Sequence, residues 1–597
     1  MSKSKALFEK LKIVSLLDLA LILPSSYNNR SLSDRIIEGE VQTFDARVEE
    51  VVVQQGRLKV CFRLIPMGYT LWGVFFRVTP YHRRSFTLGS RHYIQGRVER
   101  YRGALQMAQP KSLKEVGGII PKYTTSLKNS TMQRLVALWI TPEHLQAEGL
   151  SSEEISLLMG LHFPVKMEQV RNIDLQLLKS IEAFNHMKKL RRKRVDFPAL
   201  HGLTGRLDTF IGGLPFKLTR DQEHVIEEIR QDLARVDRAT KRLVIGDVGS
   251  GKTMVILASA VMAYPHKSIL MAPTSLLAMQ IYEEAQKYLP KEITIALVMQ
   301  GNEEGDYHEA SFIIGTHALL YKEDLPQASL VMVDEQHRFG TKQRAMLEQM
   351  MAQGRKKPHF LQFSATPIPR TQAMMESALI DVSLIGSTPF NKEITTTIIG
   401  KEDFKSLLGH IEDEIKEHHQ VLIVYPLVEE SQEIPYQSIE EGRSFWEERF
   451  DRVYVTHGKD RNKEEVLIAF REAGSILLAT TVVEVGISLP RLTLIVIVGA
   501  ERLGLATLHQ LRGRVGRLGL KSWCYLFTHH KNNPRLVAFS QTESGFDIAK
   551  LDLKFRNSGD ILDGKIQSGM AFKWLNLAED EAIVKRAKAR LDALAGC

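Results

Sequence analysis

One octapeptide restricts this chain more than any other stretch: Gly246-Asp247-Val248-Gly249-Ser250-Gly251-Lys252-Thr253. It follows the apolar run Leu243-Val244-Ile245 and precedes the helix-forming segment Met254 to Met262. Strand, glycine loop and helix in that order bring backbone N–H groups together at a helix N-terminus, where they can surround phosphate. Gly246, Asp247, Gly249, Ser250, Gly251, Lys252 and Thr253 are therefore expected to bind a nucleotide. Lys252 would reach the β/γ oxygens, and the Thr253 hydroxyl would ligate Mg²⁺.

A second buried strand, Ser329-Leu330-Val331-Met332-Val333, ends in Asp334-Glu335-Gln336-His337. Asp334 at such a strand end suits the Mg²⁺ shell, and Glu335 beside it suits activation of the attacking water. Other strand ends carry small hydroxyls: Thr274 in Ala272-Pro273-Thr274-Ser275, Thr316 in Ile313-Ile314-Gly315-Thr316-His317, and Ser364-Ala365-Thr366. Thr274 and Thr316 are placed where polymer or ligand must pass, and Ser364-Ala365-Thr366 where the γ-phosphate is sensed. Upstream, Thr219 and Gln222 form a capping box, a sufficient structural reason for both. The favoured additional reading has Gln222 on the adenine edge with Phe216 near the ring.

After about Gly386 a second series of strands and helices begins, without another phosphate loop. It offers Thr480-Thr481-Val482-Val483-Glu484-Val485-Gly486 and Gln510-Leu511-Arg512-Gly513-Arg514-Val515-Gly516-Arg517. Arginines on a lobe that lacks its own phosphate loop suit fingers for a nucleotide held on the other lobe. Arg514 and Arg517, with Gln510, would complete the site only when the cleft shuts.

Charge is distributed unevenly. Between Val41 and Lys114 thirteen Lys/Arg face four acids, a local +9 that equals the net charge of the whole chain. The same stretch alternates apolar and polar residues between glycine turns, which predicts a small five-stranded oligonucleotide-binding (OB) β-barrel. A basic barrel joined to a neutral motor points to nucleic acid, with a solvated surface as the plainer alternative. Phe75, Phe76 and Tyr81, beside Arg83 and Arg84, are the candidate contacts, and one of the two phenylalanines must face inward. The basic run Lys188 to Arg194 reads first as a solvated helix end. Ala6 to Leu23 has helical spacing, closed by Pro24.

Cys61, Cys524 and Cys597 are too scattered for a disulfide framework or zinc site. No apolar signal core and no run of eighteen apolar residues is visible, so a cytoplasmic chain without membrane contact is expected.

Taken together, the phosphate loop, Asp334-Glu335-Gln336-His337, Ser364-Ala365-Thr366 and the Gln510–Arg517 motif resemble the superfamily 2 helicases and translocases. Longer stretches resemble the RecG branch: Asp334 to Gly340, Ser364-Ala365-Thr366-Pro367-Ile368-Pro369-Arg370-Thr371, Leu508 to Arg517, and Phe75 to Pro110. Asp552 to Asp560 with Gln567-Ser568-Gly569 is similar to a translocation motif shared with the transcription-repair coupling factor, although Asn557 stands where Gly is usual.

The resemblance implies a multidomain α/β chain. A helical lead-in (1–40), an OB wedge (41–115) and a connector (116–205) would precede RecA-like lobes at 206–385 and 386–540, followed by a C-terminal translocation segment (541–597). It implies an ATP- and Mg²⁺-dependent translocase on branched double-stranded DNA, at stalled forks and Holliday junctions, acting as a monomer with a single-stranded DNA-binding protein as further partner. Thr274, Thr316 and Thr480 would pass duplex along, Phe76 or Tyr81 would stack at the fork, and Arg556 and Gln567 would transmit the stroke. An RNA remodeller and a non-catalytic nucleic-acid clamp are the rival classes. Asp334-Glu335-Gln336-His337 in place of Asp-Glu-Ala-Asp weighs against the first, and the complete set Lys252, Glu335 and Arg517 against the second.

Overall fold

The computed structural model describes every residue except 1, 55, 66, 367, 390–391, 429–435, 459, 461, 482–488, 517–518, 564–571 and 596–597. Two compact units result: Met1–Lys189 with Ala589–Cys597, and Leu190–Lys588.

In the first unit the alternating segment closes on itself. Strand Val41–Gln54 pairs antiparallel with Arg57–Ile65, which pairs antiparallel with Thr70–Phe75. Ala104–Ala108 then runs parallel to Thr70–Phe75 and antiparallel to Arg91–Tyr101, whose other edge returns to Val41–Gln54. Five strands thus form a ring, and Lys111–Leu113 adds a short sixth to Arg91–Tyr101. A register shift between Val48 and Glu50 supplies the bend that lets the longest strand serve two partners. The interior is filled by Phe44, Phe62, Phe75, Phe86, Ile94 and Val98 among others. Gly73 is needed here, because a Cβ would come within 2.6 Å of the Phe62 ring.

The N-terminal helical spacing resolves into two helices, Ser2–Leu11 and Leu16–Ala20, because Lys12 adopts φ 57° and Ser15 caps a new start with Asp18. A capping box between Ser151 and Glu154 opens helix Ser152–His162. Glu154 is buried there and pairs with Arg590 at 2.9 Å. The basic run, up to Lys193, ends helix Leu175–Lys193, and its first two members are paired from afar: Lys188 with Glu148 and Lys189 with Asp18. In the second unit Arg194 pairs with Asp381.

The second unit holds two sheets. The first has the order Asn302–Glu304, Ile295–Met299, Phe312–Gly315, Ser268–Met271, Leu330–Val333, His359–Ser364, Lys241–Gly246, Asp381–Ile385. Its strands are parallel apart from the antiparallel edge Asn302–Glu304. The second is wholly parallel: Ile394–Ile399, Ser522–Phe527, Leu492–Val498, Gln420–Val424, Ile476–Ala479, Val453–Thr456. The inner strands, such as Leu330–Val333, Gln420–Val424 and Ile476–Ala479, are buried on both faces, as parallel strands sandwiched by helices must be. The first order sets Lys241–Gly246, His359–Ser364 and Leu330–Val333 side by side, so three chemically distinct loops leave neighbouring carboxyl ends. Among the described residues no helix is long and apolar enough to cross a membrane.

Candidate active site

Gly246 ends its strand, and helix Lys252–Ala263 starts six residues later. The loop between them turns through Gly249 and Gly251, both at φ 75°, a region that side chains other than Gly rarely adopt. A Cβ on Gly249 would come within 2.8 Å of Lys392 Nζ, and one on Gly251 would overlap the Gln222 amide. Lys252 Nζ donates to the carbonyls of Gly246 (2.9 Å) and Asp247 (3.3 Å). Ser250 Oγ is buried with no hydrogen-bond partner, and Thr253 is half-buried at the helix start. An orphaned hydroxyl in a cradle of N–H groups fits a phosphate-bearing ligand.

Asp334 is buried at the end of Leu330–Val333 and accepts the Glu335 N–H at 2.8 Å. Burial, then the adjacent Glu335 charge, push its carboxyl well above the usual range, against the pull of Lys252. A buried carboxyl held in that condition, next to the phosphate loop, is suited to a divalent cation. Glu335 itself takes φ 46°, a left-handed conformation that costs a non-Gly residue and turns its carboxylate back, so that Oε2 accepts the Ala365 N–H at 3.0 Å. The Asp-Glu pair and the Ser364-Ala365-Thr366 strand end are thereby joined.

The second lobe meets this edge directly. Gln510 Nε2 donates to Thr366 Oγ1 at 3.0 Å, and Gly513 packs so closely on Val248 that a Cβ would lie 2.6 Å from its Cγ1. Arg514, buried, follows at once. Lys392 donates to the Val248 carbonyl. Asp247 accepts from His509 Nε2 at 2.5 Å and from the Gly545 N–H at 2.7 Å. Burial opposes the charge on Asp247, but these partners, His509 foremost, hold its carboxyl below the usual range.

Several expected roles are corrected. Gln222 is buried, its Oε1 accepts the Thr219 N–H, and its Nε2 donates to the carbonyls of Ser250 (2.9 Å) and Gly251 (3.3 Å). Its amide braces the phosphate loop and is not presented to an adenine. The neighbouring Asp221 holds the start of the interlobe segment through the N–H groups of Gly386 and Ser387. Phe216 is exposed, edge-on to Tyr288. Thr316 is 3% exposed, with its hydroxyl accepting the Ala318 N–H, so it caps a turn and is buried where it was expected to line a path for polymer. Thr274 also caps its helix, through the Leu277 N–H, yet it borders a groove of about 350 Å³ shared with His317, Arg338 and Lys463. Thr480 is half-buried after strand Ile476–Ala479.

On the barrel, Phe75 lies wholly inside, 5.2 Å from the Phe86 ring, and is excluded as a nucleic-acid contact. Phe76 is 51% exposed with the Arg57 guanidinium 5.3 Å from its ring centre. Tyr81, Arg83 and Arg84 are exposed on the short helix Pro80–Ser85. Arg517 and Gln567 lie outside the described residues, as do 482–488 and the side chain of Arg556. Sequence reasoning gave no role to His509, Lys392 or Gly545. His509 sat inside a quoted motif, but its partner is 262 residues away.

Comparison with known proteins agrees with this architecture. Residues 219–375 match the DEAD/DEAH box helicase family, and residues 402–519 match the helicase conserved C-terminal domain. The chain is 44% identical to the ATP-dependent DNA helicase RecG of Helicobacter pylori strain 26695, over 98% of this chain and 97% of that one. It is 32% identical to the RecG of Aquifex aeolicus, over 98% of this chain and 81% of the relative. A solved structure of RecG bound to a three-way DNA junction superposes with a TM-score of 0.54 at 27% identity, covering 97% of this chain and 83% of that one. At that identity and coverage, with the helicase motifs gathered at one cleft, the chain belongs to the RecG family of ATP-dependent DNA helicases.

Proposed function

We propose that the chain hydrolyses ATP between its two lobes to drive double-stranded DNA through the motor, remodelling branched DNA such as stalled forks and Holliday junctions. The observation that carries this reading is the near full-length likeness to RecG helicases, one of them solved on a three-way junction. Gly246, Gly249, Ser250 and Gly251 supply the backbone that cradles the phosphates, and Lys252 leaves its carbonyl partners to neutralise the β/γ oxygens. Thr253 and Asp334 are the residues that would hold Mg²⁺, which supplies positive charge against the phosphates. Glu335, fixed by the Ala365 N–H, takes the proton of the attacking water. Gln510, Arg514 and Arg517 arrive from the second lobe, so hydrolysis follows closure. Phe216 is the residue left to pack near the base.

The ring of five strands, with its single parallel junction and a helix between the third and fourth strands, is the support for an OB wedge over 41–115. Phe76 then stacks at the fork, with Tyr81, Arg83 and Arg84 on the flanking backbone. Lobes at 206–385 and 386–540 pull duplex past Thr274 and Thr480, and Arg556 and Gln567 in 541–597 carry the stroke. The chain works as a monomer in the cytoplasm, with a single-stranded DNA-binding protein as accessory partner. The test is ATP-dependent unwinding of model forks by wild type and Phe76→Ala, with ATP turnover measured on junction DNA and on RNA. Loss of strand separation with much of the turnover kept supports the wedge; equal unwinding discards it, and stimulation by RNA alone discards the DNA reading.

A further inference from the structure

Asp247 is the one loop residue whose two ends face opposite tasks. Its carbonyl accepts Lys252 Nζ, the ammonium that a triphosphate would draw away. Its carboxylate, on a side chain only 11% exposed, points out of the loop into the second lobe. There Oδ1 accepts from His509 Nε2 and from the Val248 N–H (2.6 Å), while Oδ2 accepts from the Gly545 N–H. His509 Nδ1 in turn faces Arg512 Nη2 at 3.3 Å, which leaves the imidazole with one donor, at Nε2, aimed at Asp247. Arg512 is buried over the Phe539 ring and donates to the carbonyls of Phe539 and Glu543 (3.3 Å each), the segment that runs into helix Gly545–Asp563. The helix begins against both lobes: Phe546 packs with Leu243, Ile245 and Ala373, and Ile548 packs in the second-lobe core.

Position 545 has no room for a side chain. A Cβ there would stand 2.7 Å from Asp247 Oδ1 and 2.8 Å from His509 Nε2. Nothing about helix geometry requires Gly at that place, so the requirement comes from the approach of the carboxylate itself.

We propose that Asp247 is a relay residue: it reports the state of the phosphate loop to helix Gly545–Asp563 through a buried three-way contact with His509 and the Gly545 N–H. This deepens the helicase reading and rests on it. When phosphate captures Lys252, the Asp247 peptide is released from the ammonium, and the carboxylate carries that shift to the helix start. His509 and Gly545 are positioning residues and do not touch ATP. Both bonds are charge-assisted and desolvated, the class in which a lost partner is most costly.

The measured quantity is base pairs unwound per ATP hydrolysed on a model fork, using the full chain. His509→Ala and Gly545→Ala should each lower that ratio about tenfold while KM for ATP stays within about threefold. The double variant should be no worse than the worse single, since both break one network. His509→Gln, which keeps a donor near Nε2, should recover most of the ratio. A general loss of folding would lower turnover and unwinding together and would not be rescued in this way. Unchanged ratios in both alanine variants, with turnover and unwinding falling in step, would overturn the relay alone. A wild-type protein with no fork-stimulated hydrolysis would overturn the helicase reading and the relay with it.

Discussion

Gln510 of the second lobe and Thr366 of the first share a hydrogen bond of 3.0 Å, with the Gln510 amide donating to the threonine hydroxyl. Thr366 directly follows Ala365, whose N–H holds the Glu335 carboxylate. A movement of the second lobe would therefore reach Glu335, the proposed general base, through Thr366 and Ala365. Gln510→Ala and Thr366→Val should each lower kcat for ATP about tenfold with a smaller change in KM, and the pair should be non-additive. Steady-state ATPase assays on fork DNA decide it; additive losses would mean that the bond couples nothing.

Glu335→Gln keeps an oxygen for the Ala365 N–H and removes the proposed base. Hydrolysis in a single turnover should fall by about two to four orders of magnitude, with nucleotide binding retained. Binding measured with a fluorescent ATP analogue checks the second half. A variant that hydrolyses at the normal rate would assign the base elsewhere.

Adjacent phenylalanines on the barrel should separate stability from function. Phe75→Ala removes a fully buried ring from the barrel core and should cost about 3–5 kcal/mol of stability. Phe76→Ala removes an exposed ring and should shift stability by less than about 1 kcal/mol. Chemical denaturation followed by fluorescence of Trp72, with Trp139, Trp446, Trp523 and Trp574 replaced by Phe, is the measure.

Two buried histidines predict acid sensitivity. His162 donates Nε2–H to the Ala20 carbonyl, with the Tyr123 hydroxyl on Nδ1; His359 donates to the His201 carbonyl and accepts the Thr240 N–H. Burial lowers each from 6.5 to about 4, so between those values the unfolded chain binds more protons than the folded one. The stabilisation is thus complete above pH 6.5 and is lost as pH falls toward 4, on the order of 3 kcal/mol per site. Melting midpoints from pH 7.5 to 4.5 should fall accordingly, and His359→Gln should start lower but lose less. Equal losses in variant and wild type would refute the assignment.

The parts legible beforehand are those with local signatures. The phosphate loop needs its glycines within eight residues, Asp334-Glu335 closes an apolar strand, and the barrel's alternation appears strand by strand. The parts that misled were decided by distant partners. Gln222 was readable as a cap from Thr219 alone, but its use as a brace depends on carbonyls 28 and 29 residues on. Alternation required one of Phe75 and Phe76 to point inward without saying which; the pairing of Phe75 with Leu58 inside the ring settles it. Lys188 and Lys189 looked like free charge because Glu148 and Asp18 lie 40 and 171 residues away. Thr316 was read from its strand end, whereas the turn that begins there buries it and takes its hydroxyl as a cap acceptor.

The double anchorage of helix Gly545–Asp563 has a practical corollary. Phe546 covers Leu243, Ile245 and Ala373, and Ile548 fills part of the other lobe's interior. A chain cut before that helix would bare greasy patches on both lobes at once. Such a truncation would be expected to clump in solution, and its inactivity would say little about how the motor grips its track.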